Sequence, residues 1–176
     1  MRIAVPREGS PGERRVALVP ESVRRLLRRE LEVAVEAGAG AGAFFDDAAY
    51  ESAGAVIVGD RPELLRAADV VVMIDPPGPE EIGRLRAGIV LVCVLNPEVN
   101  TDIVRALGLR GITSFALDAM PRITRAQSMD VRSSQSTVAG YKAVLLAAEA
   151  MAKMMPMMMT AAGTIRPARA LVIGAG

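Results

Sequence analysis

The chain has 176 residues, 51% of them hydrophobic, and 21 Lys and Arg against 20 Asp and Glu leave a formal charge of +1. That length allows one ordinary domain, or one domain and the beginning of another, and the balanced charge offers no electrostatic footprint for nucleic acid or an anionic membrane surface. The single cysteine, Cys93, sits in the apolar run 89–95, which excludes a disulfide framework within the chain and reads as a small buried hydrophobe in a reducing compartment.

In chain order, residues 3–5 begin a short strand and residues 7–15 form a polar loop broken by glycine and proline. A helix follows from Pro20, which suits a first turn, with Val23, Leu26 and Leu27 at helical spacing opposite Arg24, Arg25, Arg28 and Arg29. Residues 31–35 read as a second strand, the Gly-Ala string 38–42 as a flexible turn, and residues 47–52 as a short helix. Beyond these, apolar runs at 55–58, 69–74, 89–95 and 112–117 alternate with helical periods at 62–68, 79–86 and 101–107. Continuous apolar runs predict strands covered on both faces, and parallel strands need crossovers that put helices on those faces. The expected fold class is therefore α/β, a doubly wound, mostly parallel sheet of flavodoxin or Rossmann type. Ligands of such sheets sit beyond the carboxyl ends of the strands, and the last strand, ending near Leu117, delivers Asp118 and the loop 122–133 to that edge.

Within that loop Arg122, Gln127, Asp130 and Ser133 supply a guanidinium fork, an amide, a carboxylate and a hydroxyl. Together they can satisfy both the oxygen and the amino group of a carboxamide such as that of nicotinamide. The plainer alternative is that Asp130 pairs with Arg122, Arg125 or Arg132 on a solvated loop. Farther on, Val138, Tyr141, Leu145, Ala148, Ala152 and Met155 line one stripe of a long helix expected over 135–163. One of Ser133, Ser134 or Ser136 is its expected N-cap, Glu149 and Lys153 decorate its wet side, Pro156 kinks or interrupts it, and Gly163 ends it. The stretch 138–162 is broken by Lys142, Glu149, Lys153 and Pro156, and no other stretch approaches the ~20 apolar residues of a membrane span, so a soluble chain without a secretory signal is expected.

The methionines between 154 and 159 read as adaptable packing between domains rather than a thioether metal site, and no metal is expected. Residues 169–173 read as a strand leading into Gly174-Ala-Gly176, the first two glycines of a dinucleotide fingerprint. The third glycine, the helix that would hold a pyrophosphate and the acidic ribose partner would all lie past Gly176. The sequence accordingly reads as an N-terminal fragment whose own affinity for NADH is very weak.

Three separated strings, Arg122-Ile-Thr-Arg-Ala-Gln-Ser-Met-Asp130, Ser133-Ser-Gln-Ser-Thr-Val-Ala-Gly-Tyr141 and Pro156-Met-Met-Met-Thr-Ala-Ala-Gly-Thr164, closely resemble the alpha subunit of the proton-translocating NAD(P) transhydrogenases, and the resemblance covers the whole chain. The letters of that family's RQD loop match here at Arg122, Gln127 and Asp130. The resemblance implies an N-terminal α/β domain over 1–134, a linking helix over 135–163 and the start of a truncated NAD-binding Rossmann domain over 164–176. It further implies that Arg122, Asp130 and Ser133 hold the nicotinamide of NAD(H), that Gln127 faces NADP(H) on a partner subunit, and that Gly174 and Gly176 begin the pyrophosphate turn. By the same resemblance the chain forms a homodimer, lies on the cytoplasmic side of the inner membrane, and docks on membrane-embedded subunits that couple hydride transfer to proton translocation.

The opening string Arg14-Arg-Val-Ala-Leu-Val-Pro20 also resembles alanine dehydrogenase, which makes an NAD-dependent amino-acid dehydrogenase the main alternative. That chemistry needs a proton acceptor beside the reacting carbon and a cation to steady the keto acid. The chain contains no His, and Met73-Ile-Asp-Pro-Pro77 stands where those dehydrogenases carry a catalytic Lys. Arg15 matches their substrate-binding Arg but reads as a structural salt bridge. Hydride exchange between two nicotinamides instead asks for positioning and no protein acid or base, which suits a loop of orienting groups. A non-catalytic assembly module is the third expectation.

Overall fold

The computed structural model describes residues 1–174, which divide into two compact units, Met1–Asp130 and residues 131 onward. In the first unit six strands, β1 (Arg2–Val5), β2 (Glu32–Glu36), β3 (Val56–Val58), β4 (Val70–Val72), β5 (Val90–Cys93) and β6 (Thr113–Ala116), pair in parallel in the order β3-β2-β1-β4-β5-β6. This is the Rossmann order, with the direction of strand addition reversing between β1 and β4. Of the two expected types, the Rossmann one is found.

Successive residues of each strand point to opposite faces, so one β1 strand feeds two cores. Ala4, Ala34, Val71, Leu91 and Cys93 form one layer with Leu64 and Leu65 of α3 (Arg61–Arg66), Ile82 of α4 (Pro79–Arg84) and Leu107 of α5 (Thr101–Leu109). Ile3, Val5, Val33 and Val35 form the other with Val23 of α1 (Pro20–Leu27) and Tyr50 and Ala53 beside α2 (Asp47–Ser52). Helices α1, α3 and α4 each carry proline in the first turn, where the missing N–H would have had no intrahelical acceptor. Asp46 caps α2, its side chain accepting from Ala49 N–H at 2.8 Å. The edge strand β6 alternates between half-buried and exposed rather than being covered on both faces.

The Gly-Ala string is no flexible turn. Residues Ala41–Ala43 form a 3-10 turn, and a Cβ at Gly40 would stand 2.6 Å from the Tyr50 ring and 2.7 Å from the Phe45 carbonyl oxygen. One at Gly42 would stand 2.8 Å from the Arg14 carbonyl oxygen. Glycine is needed there because the backbone packs where a side chain would collide.

In the second unit the long helix, α6, spans Val131–Ala150 rather than 135–163. It starts early enough that Ser133, Ser134 and Ser136 lie inside it and none is its N-cap, and it ends before Lys153 can reach back to Glu149 as a helical neighbour. The backbone is already non-helical by Pro156, as the ring's clash with the preceding turn requires. Gly163 then serves a turn that sequence periodicity did not signal: β7 (Met158–Thr160) and β8 (Gly163–Ile165) make an antiparallel hairpin with a two-residue connection, and Gly163 takes φ +126 there. Residues 169–173 are not a strand, having no paired ladder among the described residues. The expected apolar stripe remains exposed along α6, at Val138, Tyr141 and Leu145, and beyond the helix end Ala152 is exposed and Met155 only half-buried. No helix among the described residues is long and apolar enough to cross a membrane.

Candidate active site

The carboxyl ends of β1, β4, β5 and β6 carry a dense set of polar contacts. Leaving β1, the chain turns at Glu8, whose carboxylate accepts from the Ile74 N–H at 2.7 Å and the Asp75 N–H at 3.2 Å just past β4. Burial pushes the Glu8 carboxyl above its ordinary range, against the pull of those two N–H groups. On the same loop Glu13 grips Arg15, accepting from its Nε at 2.8 Å, its Nη2 at 2.5 Å and its backbone N–H at 2.8 Å, and this contact holds the Glu13 carboxyl low. Arg15 is thus in the salt bridge expected of it.

Glu36, at the end of β2 and only 7% exposed, accepts from the Arg7 N–H at 2.8 Å and from Arg61 Nη1 at 2.7 Å. Arg61 also reaches the Arg7 carbonyl and Glu81 on α4, tying three segments together. Sequence reasoning missed Glu36, Arg61 and Glu8; the one available signal was a carboxylate closing an otherwise apolar strand. Beneath them Cys93 is buried, as expected, and its thiol is pushed up to about 12 by burial first and by the charges of Asp118, Glu8 and Asp75 next.

The loop of interest leaves β6 through a 3-10 turn, Leu117–Ala119. Asp118 in that turn accepts from the Leu95 N–H at 2.8 Å and the Asn96 N–H at 3.0 Å, pinning the exit of β6 to the exit of β5. Arg122 follows and is exposed. Ile123 is extended, and its carbonyl accepts from the Ala126 N–H at 2.9 Å to start a second 3-10 turn, Thr124–Met129. Ala126, 4% exposed, is the buried plug of this turn. Gln127 is exposed on the same turn, and Asp130, half-buried, ends it with its N–H donating to the Gln127 carbonyl at 3.3 Å. Arg122, Gln127 and Asp130 are therefore gathered on one short structured loop at the carboxyl edge of the sheet. Ser133 belongs to the second unit, exposed in the first turn of α6. Gly174 takes φ +87, a conformation that favours glycine, whereas Gly176 lies outside the described residues.

The description of one family, the alanine dehydrogenase/PNT N-terminal domain, matches residues 4–139, and that of the alanine dehydrogenase/PNT C-terminal domain matches residues 143–176. The chain belongs to the alanine dehydrogenase/PNT family. Within that family it is 49% identical over its whole length to an NAD(P) transhydrogenase subunit alpha of Rhodospirillum rubrum, of which it covers 47%. A crystal structure of transhydrogenase from Sinorhizobium meliloti superposes with a TM-score of 0.90 at 43% identity, over 96% of this chain and 50% of that one. The alanine dehydrogenase of Bacillus subtilis is more distant, 35% identical over 87% of this chain and 39% of its own length. The chain thus spans about half the length of these transhydrogenase relatives.

Proposed function

We propose that this chain is the nicotinamide-facing portion of the NAD(H)-binding component of an NAD(P) transhydrogenase, which passes hydride directly between NAD(H) and NADP(H). The observation that carries this reading is the gathering of Arg122, Gln127 and Asp130 on one turn at the carboxyl edge of a Rossmann-order sheet. The donor set fits the cofactor: a guanidinium and a carboxylate answer the oxygen and the amino group of a carboxamide, and Gly174 has the backbone that the turn before a pyrophosphate asks for. When bound, NAD(H) supplies or accepts the hydride.

The residues of the chain do the positioning. Arg122, Asp130 and Ser133 hold the nicotinamide amide and fix the ring plane, and Gln127, exposed beside them, sets the distance and tilt of the second ring, carried by a partner subunit. No proton is exchanged with the protein at either ring, so the work of the site is orientation. The dehydrogenase alternative is disfavoured by the engagement of Arg15 with Glu13 and by Ile74 and Asp75 at the end of β4, where no lysine stands.

In the same reading residues 1–134 form the first domain, a helix links it to an NAD-binding domain that starts near residue 164, two copies associate, and the assembly sits on the cytoplasmic side of the membrane against subunits that couple hydride transfer to proton translocation. The test is Gln127→Asn in the full-length protein assembled with its NADP(H)-binding partner. Stopped-flow hydride transfer is expected to fall by roughly tenfold or more while calorimetric NADH affinity stays within about twofold. Unchanged transfer would favour an assembly module, and turnover of alanine or pyruvate with NAD(H) would favour a dehydrogenase.

A further inference from the structure

Nothing in the packing of the loop 122–130 explains how its exposed side chains are aimed. Ala126 is its one buried residue, and Arg122 and Gln127 have no core contact to hold them. The loop must be aimed from its root. Four positions before Arg122, both carboxylate oxygens of Asp118 are used on successive backbone donors, Oδ1 on the Leu95 N–H at 2.8 Å and Oδ2 on the Asn96 N–H at 3.0 Å. Two adjacent N–H groups turned to one side form a concavity that suits an anion, and a charged acceptor makes both bonds stronger than neutral ones.

The cradle is itself rigid. Asn96 takes φ +50, its carbonyl accepts from the Val99 N–H at 3.0 Å and the Asn100 N–H at 2.9 Å, and the Asn100 side-chain amide donates to the Leu95 carbonyl at 2.8 Å. Leu95 is 3% exposed. The sheet does not need this clamp for its register, because β5 and β6 are already paired as far as Cys93 and Ala116. What the clamp fixes is the direction in which the chain leaves the sheet.

We infer that Asp118 is a positioning residue of the hydride-transfer site: seated on the Leu95 and Asn96 N–H pair, it sets the orientation of the loop that presents Arg122, Gln127 and Asp130. The inference rests on the reading of that loop as nicotinamide-facing. Asparagine at this position would offer one oxygen and turn an amino group toward the second N–H, so one bond is lost and a donor faces a donor.

The experiment uses the full-length protein and two probes, NADH and ADP-ribose, the latter lacking the nicotinamide. In the wild type NADH should bind more tightly than ADP-ribose. Asp118→Asn should weaken NADH about tenfold and leave ADP-ribose within about twofold, and Asp118→Glu, which keeps a two-oxygen carboxylate, should recover most of the difference. Urea midpoints check that each variant is folded; should Asp118→Asn fail to fold, Asp118→Ser carries the same comparison. Wild type without any preference for NADH would overturn both the loop's role and this inference. A wild-type preference that Asp118→Asn retains, or a variant that loses both probes equally while folded, would overturn this inference alone.

Discussion

Tyr50 is fully buried, and its hydroxyl donates to the Leu18 carbonyl at 2.9 Å. Burial, helped by the Asp47 charge, pushes its phenol from 10.0 up to about 12. A folded value above the unfolded one means the neutral phenol favours the folded state fully below pH 10, and that this advantage drains away as pH rises through about 12. The urea midpoint of the wild type should therefore fall across that alkaline window. Tyr50→Phe should flatten this stretch of the profile and, at neutral pH, lose about 1 kcal/mol because the Leu18 carbonyl keeps no donor from that ring. An identical alkaline slope in the two proteins would refute the assignment. Cys93 has the same direction of shift, and its buried thiol should resist iodoacetamide until urea opens the core. The loop residues were legible in sequence because their chemistry lies in one contiguous string. Glu8, Glu36 and Arg61 were not, because each finds its partner 25 to 67 positions away and no local pattern encodes that pairing.

Strands and helices of the first unit followed their periodicity closely, the short helix of Asp47–Ser52 included. Boundaries failed where local signals compete. Gly163 can end a helix or close a hairpin, and the choice fell to the hairpin once the helix had stopped at Ala150. Ion pairs separate into two kinds at this scale. Arg61 is largely buried and joins β2, α4 and the loop after β1, so Arg61→Ala should destabilise by about 3 kcal/mol, leaving the Glu36 carboxylate buried beside only the Arg7 N–H. Glu21 with Arg25, and Glu80 with Arg84, are exposed neighbours one helical turn apart, and alanine at Arg25 or Arg84 should change stability by no more than about 0.5 kcal/mol. Equal losses from Arg61→Ala and Arg25→Ala in urea titrations would contradict this ranking.

All six sheet strands and both hydrophobic layers lie within Met1–Asp130. Residues 1–130 expressed alone should unfold in a single cooperative urea transition followed by circular dichroism, and a broad, sloping transition would show that the second unit is needed. That the sheet is parallel and covered by helices was readable from alternating apolar runs and helical periods. The order of its strands was not, since periodicity is silent on whether each crossover carries the chain to one side of β1 or the other. The reversal places β1 between β2 and β4, whose paired residues arrive 30 and 67 positions later in the register pairs Arg2↔Glu32 and Ile3↔Val70. As the polypeptide emerges from the ribosome, β1 can zip onto β2 early and must then wait, one flank bare, until β4 is synthesised. Stalled nascent chains that end between these points would offer that flank to any passing peptide, and it is there, rather than in the finished molecule, that a chaperone has something to shield.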